Sequence, residues 1–325
     1  MILTLPPDRP AIVETVSAPA CDGATRARLL SPPVPGDGSV TLRCSIRLGP
    51  DDHVARRVIL EGAEASGVDI DCNGATLGRA EPAPALADFA VEIRSRALVG
   101  GNGAWSRPSG ITIRDCRILG HVRIWGMAVN GQGAALKVSS HGRGHTERAQ
   151  AAAPTDVSIR DSTITALGHI PLYLAPGVTR FTLTGSTLTG RSGSTALYLD
   201  AESADNVIAG NTVSVDTGRE AVAVDGSARN RITGNRFELH GRGGVRLYRN
   251  CGEGGTVRHQ TPSDNVVTGN VFSGGGGLFG ATAIVVNSRG GWRLYCGEDA
   301  GYPFGSSLDD ADGGTGNVVA PNTVE

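Results

Sequence analysis

The chain has 325 residues, a formal net charge of −2 and 47 glycines, and only 4% of its residues are aromatic. A nearly neutral chain with no run of 18 apolar residues predicts neither a general nucleic-acid surface nor a membrane span. The glycine content is about twice ordinary usage, which favours a structure with many turns over a helical bundle.

Residues 1–60 precede the first copy of a repeat at Val68, and we expect them to cap one end of the domain that follows. A repetitive β-structure needs such a cap because an open end exposes unpaired backbone groups. The first residues lack the charged start and apolar core of a signal peptide. We therefore predict a cap over 1–60 and one repetitive domain over 61–325.

From Val68 to Val324 one short pattern recurs, with two apolar residues one apart, a small or polar pair, and another apolar residue. The second residue of that pair falls at Cys72, Cys116, Ser162, Ser186, Asn211, Asn235, Asn270 and Asn322. The central gaps of 24 or 25 residues give the length of one coil. The first two gaps predict two coils each, and the last two predict coils with insertions. The asparagines are expected to stack at a tight turn, since Asn tolerates left-handed backbone.

Each coil carries a second segment in which apolar and other residues alternate. These predicted strands are Ala134–Ser140, 170–175, 195–201, 220–226, 243–249 and 282–288. Period-two alternation places Leu, Val or Ile inward. No amphipathic helix separates the strands, which argues against βαβ units. The sequence therefore predicts an all-β, single-stranded right-handed parallel β-helix solenoid.

The coils with the pattern Gly-Asn-x-Val or Gly-Asn-x-Phe resemble the right-handed parallel β-helix proteins of the pectate-lyase-like kind. The resemblance covers roughly 68–324 and implies a carbohydrate-related protein. That superfamily includes polysaccharide lyases, glycoside hydrolases, sugar epimerases and non-catalytic proteins. The signature of alginate epimerases and the paired-Asp motif of polygalacturonases are missing here, so the fold does not decide the activity.

Aligning the second strands predicts two outward columns of side chains. The first column is Lys137, Tyr173, Tyr198, Ala223, Arg246 and Val285, and the second is Ser139, Ala175, Asp200, Asp225, Tyr248 and Asn287. Long segments 141–155, 249–263 and 288–314 leave one corner on both sides of three coils with short turns. We expect an exposed cleft with these segments as walls, because loops on a rigid scaffold commonly carry function.

The mixture of basic residues and tyrosines favours a polysaccharide lyase that acts by β-elimination on an acidic, uronate-containing polysaccharide. Lys137 and Arg246 are expected to bind the acid group, and Tyr198 or His169 to move protons. The predicted substrate-binding residues are His141, Tyr173, Glu202, Glu220, Tyr248 and Arg249.

A first alternative is a glycoside hydrolase or transglycosidase that uses Asp200 and Asp225 as stacked carboxylates. Such a pair could also hold Ca²⁺. A second alternative is a non-catalytic carbohydrate-binding β-helix. The partners expected are a polysaccharide or oligosaccharide, with no nucleic acid, and the protein is expected to be a monomer or small homo-oligomer.

Six cysteines, an even number, are compatible with disulfides and with a secreted or periplasmic location. Cys251 and Cys296 lie in near-identical segments and are predicted to pair. Cys72 and Cys116 are interpreted as lying two coils apart, too far for a disulfide. His141 and His145 have a zinc-like spacing, but their Gly-rich surroundings disfavour a metal site.

Overall fold

The computed structural model describes residues 17–82, 84–100, 103–275, 282–287 and 312–325. Within them the chain passes repeatedly through three parallel sheets, one strand of each per coil, so the predicted parallel β-helix is confirmed. Strands are numbered in chain order.

Sheet 1 contains β1 (Ser39–Thr41), β4 (Arg57–Glu61), β7 (Val91–Arg94), β12 (Val122–Trp125), β15 (Leu172–Leu174), β18 (Leu197–Leu199), β21 (Val222–Asp225), β24 (Val245–Tyr248) and β27 (Ile284–Val286). Sheet 2 contains β2 (Ile46–Arg47), β5 (Asp69–Asp71), β10 (Thr112–Arg114), β13 (Ser158–Arg160), β16 (Thr182–Thr184), β19 (Val207–Ala209), β22 (Arg231–Thr233) and β25 (Val266–Thr268). Sheet 3 contains β3 (His53–Val54), β6 (Thr76–Gly78), β11 (Arg117–Leu119), β14 (Thr163–Gly168), β17 (Thr187–Ser192), β20 (Thr212–Thr217), β23 (Arg236–Glu238), β26 (Val271–Ser273) and β28 (Thr323–Val324).

The remaining elements are short. An antiparallel pair joins β8 (Arg96–Ala97) to β9 (Trp105–Ser106). The helices are α1 (Gly23–Leu30), α2 (Ala134–Ser140) and α3 (His145–Ala152), with 3₁₀ turns at Ala63–Ala65 and Glu253–Gly255. No helix in the described ranges is both long and apolar enough to cross a membrane.

The core lies inside the coil, where the inward residues of successive strands stack in register. In sheet 2, Ile159, Leu183 and Ile208 are paired in this way and are fully buried. The rings of Phe237 and Phe272 stack at 4.8 Å in sheet 3. Each such side chain contributes about 1.5–3 kcal/mol through burial, so the stack holds the coils together along the axis.

The predicted asparagine ladder is confirmed. The side-chain carbonyl of Asn235 accepts from the backbone N–H and the amide of Asn211, and Asn270 accepts in the same way from Asn235. A second ladder, absent from the prediction, runs through Asn206, Asn230, Asn265 and Asn317. These buried amides satisfy backbone groups at turns, which fixes the spacing between coils.

Parallel pairing already begins within the segment predicted as the cap. Strand β1 pairs with β4, and β2 pairs with β5. Helix α1 precedes them; the side chain of Asp22 caps it by accepting from the backbone N–H of Thr25. A disulfide between Cys21 and Cys44 ties this helical start to the first coil.

The interpretation of Cys72 and Cys116 as too distant to bond was wrong. They form a disulfide with a Cα–Cα distance of 4.9 Å. Strand β5 pairs directly with β10, so the 44 residues between the cysteines make one coil with an insertion rather than two coils. Cys251 is buried, but its predicted partner Cys296 lies outside the described residues, so that pairing stays a prediction.

The predicted strand at Ala134–Ser140 was also wrong, because this segment is helix α2. Leu136 is buried while Val138 is 76% exposed, so their spacing did not mark one face of a strand. The sheet 1 strand of this coil is β12, which begins twelve residues before Ala134. Lys137 therefore lies on a helix and is not part of the outward column.

Candidate functional site

Strand register brings most of the first predicted column together on the outer face of sheet 1. Tyr173 pairs with Tyr198, Tyr198 with Ala223, and Ala223 with Arg246. The place predicted for Lys137 is taken by Arg123, which pairs with Tyr173. The sequence could have indicated this strand, because in HVRIW the apolar residues Val122 and Ile124 alternate with Arg123, as Leu172 and Leu174 alternate with Tyr173.

A stack of aromatic rings and a guanidinium group runs along the helix axis on this face. The rings of Tyr173 and Tyr198 are 4.9 Å apart and nearly parallel. The Cζ atom of Arg123 lies 3.7 Å from the centre of the Tyr173 ring. A cation over an aromatic face is attractive, and more so when both are removed from water. The stack therefore fixes the direction of both hydroxyl groups.

Each tyrosine hydroxyl donates to an aspartate on the next coil. Tyr173 donates to Asp200 and Tyr198 to Asp225, both at 2.5 Å. Nη1 of Arg258 donates to both aspartates, at 2.9 Å and 3.1 Å. The two carboxylate oxygens are thus at most about 6 Å apart, because they share one donor atom. We call these five residues the Tyr–Asp–Arg network.

Asn250 completes the surroundings of Asp225. Its backbone N–H donates at 2.7 Å and its amide at 2.6 Å to the two carboxylate oxygens. Arg258 and Asn250 both lie on the irregular segment 249–263, which carries no repeat signal. Sequence reasoning placed this segment at the site as a wall and missed the roles of both side chains.

The predicted floor is present, but the expectation that it is exposed was wrong. Tyr173 and Tyr198 are 8% exposed, and Asp200 and Asp225 are 1% and 0% exposed. Segment 249–263 folds back over the face instead of standing beside it. A Cβ atom at Gly131 would meet Nη2 of Arg258 and approach Asp200, so the insertion 126–157 covers the network as well. The segment 288–311, most of the third predicted wall, lies outside the described residues.

Burial shapes the ionisation of the network. It raises the pKa of Asp200 above the usual aspartate value; Arg258 opposes this shift and Asp225 adds to it. Burial also raises the pKa of Tyr173 and of Tyr198 well above 10. The phenols therefore stay protonated at neutral pH and act as hydrogen-bond donors to the carboxylates.

Glu202 joins the covering segments to the coil. It is buried, accepts from the backbone N–H groups of His259 and Gln260, and accepts from the hydroxyl of Thr146. Burial raises the pKa of Glu202. His259 also bonds the carbonyl of Ser140 through Nε2, at 2.7 Å. Glu202 thus holds both the insertion and segment 249–263, which explains its burial without a ligand.

Glu220 and Tyr248 form a second, smaller acidic group. The Tyr248 hydroxyl donates to Glu220 at 3.1 Å, and Nη2 of Arg219 lies 3.0 Å from the same carboxylate. Arg219 is exposed, whereas Glu220 and Tyr248 are buried. Arg246 lies beside this group and is half-buried.

The other predicted site residues are dispersed. Lys137 is half-buried on α2. Nε2 of His141 lies 2.7 Å from the carbonyl of Gly255, and the His169 ring contacts the His121 ring at 5.3 Å. The backbone N–H of Arg249 donates to Asp312. Among the described residues, no group of three or more His, Cys, Asp or Glu is placed to hold a metal ion.

Comparison with known proteins gives a family match and some distant structures. A family profile described as "Right handed beta helix region" matches residues 98–290. No curated protein matches the chain. Solved structures similar to it include the DFA-IIIase from Arthrobacter chlorophenolicus A6 in complex with GF2, with 14% identity, a TM-score of 0.40, and coverage of 93% of this chain and 82% of that one. The same enzyme in complex with DFA-III gives 15% identity, a TM-score of 0.34, and coverage of 93% and 78%.

Proposed function

The chain belongs to the right-handed β-helix family, and from that premise we propose that it is a glycoside hydrolase or transglycosidase that works through Asp200 and Asp225. The observation that carries the proposal is the spacing of these two carboxylates. Their oxygens are at most about 6 Å apart, because both accept from Nη1 of Arg258. Retaining glycosidases use two carboxyl groups about 5–5.5 Å apart.

The two carboxylates have surroundings that suit different roles. The raised pKa of Asp200 suits a proton donor to the leaving oxygen. Asp225 accepts from Tyr198 on strand β18 and from Arg258 and Asn250 on segment 249–263. The Tyr198 bond does not depend on that segment, and it orients the carboxylate for attack on the sugar carbon. Attack by Asp225 breaks the bond to the leaving oxygen and gives a covalent glycosyl ester. In the second step, Asp200 would take a proton from the acceptor, whose oxygen bonds the sugar carbon and displaces Asp225; the acceptor is water in a hydrolase and a sugar hydroxyl in a transglycosidase.

The same geometry gives less support to β-elimination. A lyase needs a cation for the substrate carboxylate; Arg258 already binds two carboxylates of the protein, and Arg246, predicted for this role, lies beside Glu220. A lyase also needs a base, and burial raises the pKa of Tyr198 well above 10. Lys137, proposed to bind the acid group, lies on helix α2.

Substrate access requires movement of segment 249–263, because the carboxylates are buried beneath it. Such movement would also withdraw Arg258 from both aspartates and Asn250 from Asp225. We propose a carbohydrate substrate and an oxidising compartment outside the cytoplasm, the latter supported by the disulfides Cys21–Cys44 and Cys72–Cys116.

The test is a screen of neutral and acidic oligosaccharides and polysaccharides, with products read by reducing-end release and by ultraviolet absorbance. We expect reducing ends or transfer products without a new absorbance. Asp200→Asn and Asp225→Asn should each lower the rate by at least about 100-fold. Asp161→Asn, at an exposed aspartate, is the matched control and should keep full activity.

Three results would overturn the proposal. A new ultraviolet absorbance would indicate elimination. Full activity in both aspartate variants would show that the pair is not catalytic. Binding of a saccharide without any product would favour the non-catalytic alternative. Because both aspartates are buried, each variant needs a thermal melt to show that it remains folded.

A further inference from the structure

A cavity of about 490 Å³ lies near the N-terminal end of the solenoid, away from the residues of the Tyr–Asp–Arg network. It is bordered by the loop 33–38 on one side and by the corner where sheet 3 leads into sheet 1 on the other, and it is open to solvent. Pro33, Pro35 and Phe89 supply apolar parts of its wall. Its volume falls within the range of about 300–1,000 Å³ that is usual for small-molecule sites.

One wall of the cavity is held in place by a buried arginine. Nε of Arg56 donates to the carbonyl of Ser31, and Nη2 donates to the carbonyl of Pro32. Nη1 lies 3.2 Å from the carboxylate of Asp37, which also binds Nη2 of Arg28 at 2.8 Å. Arg56 therefore builds the loop that closes the cavity and leaves ligand binding to other residues.

Two further arginines line the cavity, and each has N–H donors without a hydrogen-bond acceptor among the described residues. Arg79 is half-buried and makes no hydrogen bond or ion pair with any described residue. Arg57 donates from Nη1 to the carbonyl of Ala87, and its Nε is 3.9 Å from Glu92. The Arg79 guanidinium therefore has its donors available at the cavity wall. These two side chains therefore favour an anionic group between them.

Asp88 is the acidic residue that lines the same cavity. Its Oδ2 accepts from the backbone N–H of Ala85 at 3.2 Å, and the residue is exposed at the rim. Arg56 shares Asp37 with Arg28, so Arg56, Arg57 and Arg79 together outweigh Asp88 among the described residues that line the cavity.

We propose that the cavity binds a small organic anion, with an oxyanion group held by Arg57 and Arg79 and a ring-shaped body against Pro33, Pro35 and Phe89. A guanidinium presents paired donors that match a carboxylate or a phosphate. The site shares no residue with the proposed catalytic pair, so a test of this site does not depend on the proposed function.

The test is calorimetric titration of the full chain with glucuronate, glucose 6-phosphate, glucose and inorganic phosphate. We expect the acidic sugars to bind and glucose not to bind, and the tighter acidic sugar identifies the oxyanion. Arg79→Ala should weaken binding by at least about tenfold. Asp88→Asn should tighten it. Arg191→Ala, at an exposed arginine on sheet 3, is the matched control and should leave affinity unchanged.

A second variant tests the cavity itself. A Cβ atom at Gly38, which lines the cavity, would meet nothing within 4 Å, so Gly38→Leu adds bulk there without an immediate clash. We expect it to abolish binding while the melting temperature stays unchanged. Equal binding by glucose, unchanged affinity in Arg79→Ala, or inorganic phosphate binding as tightly as glucose 6-phosphate would each overturn the proposal.

Discussion

Replacing Arg258 with methionine would leave Asp200 and Asp225 buried within about 6 Å of each other without their shared cation. Breaking a buried ion pair by removing one partner costs about 3–5 kcal/mol. For a chain of 325 residues, this corresponds to a drop of about 4–7 °C in melting temperature. If segment 249–263 detaches from sheet 1 instead, the loss in unfolding free energy is limited to the free energy with which that segment packs against the sheet.

The two responses can be separated by urea unfolding combined with hydrogen exchange. We expect either a lower free energy of unfolding or faster exchange confined to 249–263. The triple variant with Asp200→Asn and Asp225→Asn should recover most of the loss, because it removes the uncompensated charges as well. Arg160→Met, which breaks an exposed ion pair, is the matched control and should cost less than about 1 kcal/mol.

The methionine variant should also respond to pH. Arg258 opposes the rise in the pKa of Asp200, so its loss raises that pKa further in the folded state. The folded variant then binds a proton more readily than the unfolded chain does, and its stability is lost as the pH rises through the folded pKa. The penalty should therefore be larger at pH 7 than at pH 4. A variant as stable as the wild type at pH 7, with unchanged exchange in 249–263, would refute the reasoning.

Three further predictions concern the rest of the molecule. Burial lowers the pKa of His145 to about 3, so stability should fall as the pH drops from about 6.5 towards 3; acid melts of His145→Gln should show a flatter decline. Asn235→Ala should cost about 2–4 kcal/mol in urea unfolding, because it leaves several buried backbone and amide groups without partners. The exposed Asn130→Ala, which removes one hydrogen bond from the backbone of Gln132, should cost about 1 kcal/mol or less. Replacing Cys72 and Cys116 together by alanine should lower the unfolding free energy by about 4 kcal/mol in the chain-entropy account of a bond that spans 44 residues.

The solenoid could be predicted because its signal is periodic. Asn211, Asn235 and Asn270 recur at the same point of each coil, and the alternation around Tyr173 and Tyr198 gives their register directly. Spacing alone failed where a coil contains an insertion. The gap between Cys72 and Cys116 was divided into two coils, although one coil and an excursion fit the same number of residues.

The covering of the site could not be predicted in the same way. Arg258 and Asn250 lie on an irregular segment, so neither periodicity nor register indicates which strand they approach. The apolar spacing of Leu136 and Val138 suited a strand, while the local preference of the residues around Lys137 for helix decided the structure. The position of Arg123 could have been predicted, since its strand has the same alternation of apolar and other residues as its neighbours.

The asparagine ladders have a consequence for how a chain of this kind can change in length. Asn211 and Asn235 are 24 residues apart and occupy equivalent rungs, so removal or duplication of one whole coil recreates the same contacts on either side. A one-residue insertion in a strand would instead turn its inward side chains outwards and break both ladders. The solenoid can therefore lengthen or shorten only in whole turns, whereas the corner after sheet 1 can accept segments of any size. Evolution is thus free to exchange coverings such as 126–157 and 249–263 while the scaffold beneath them keeps its fixed unit.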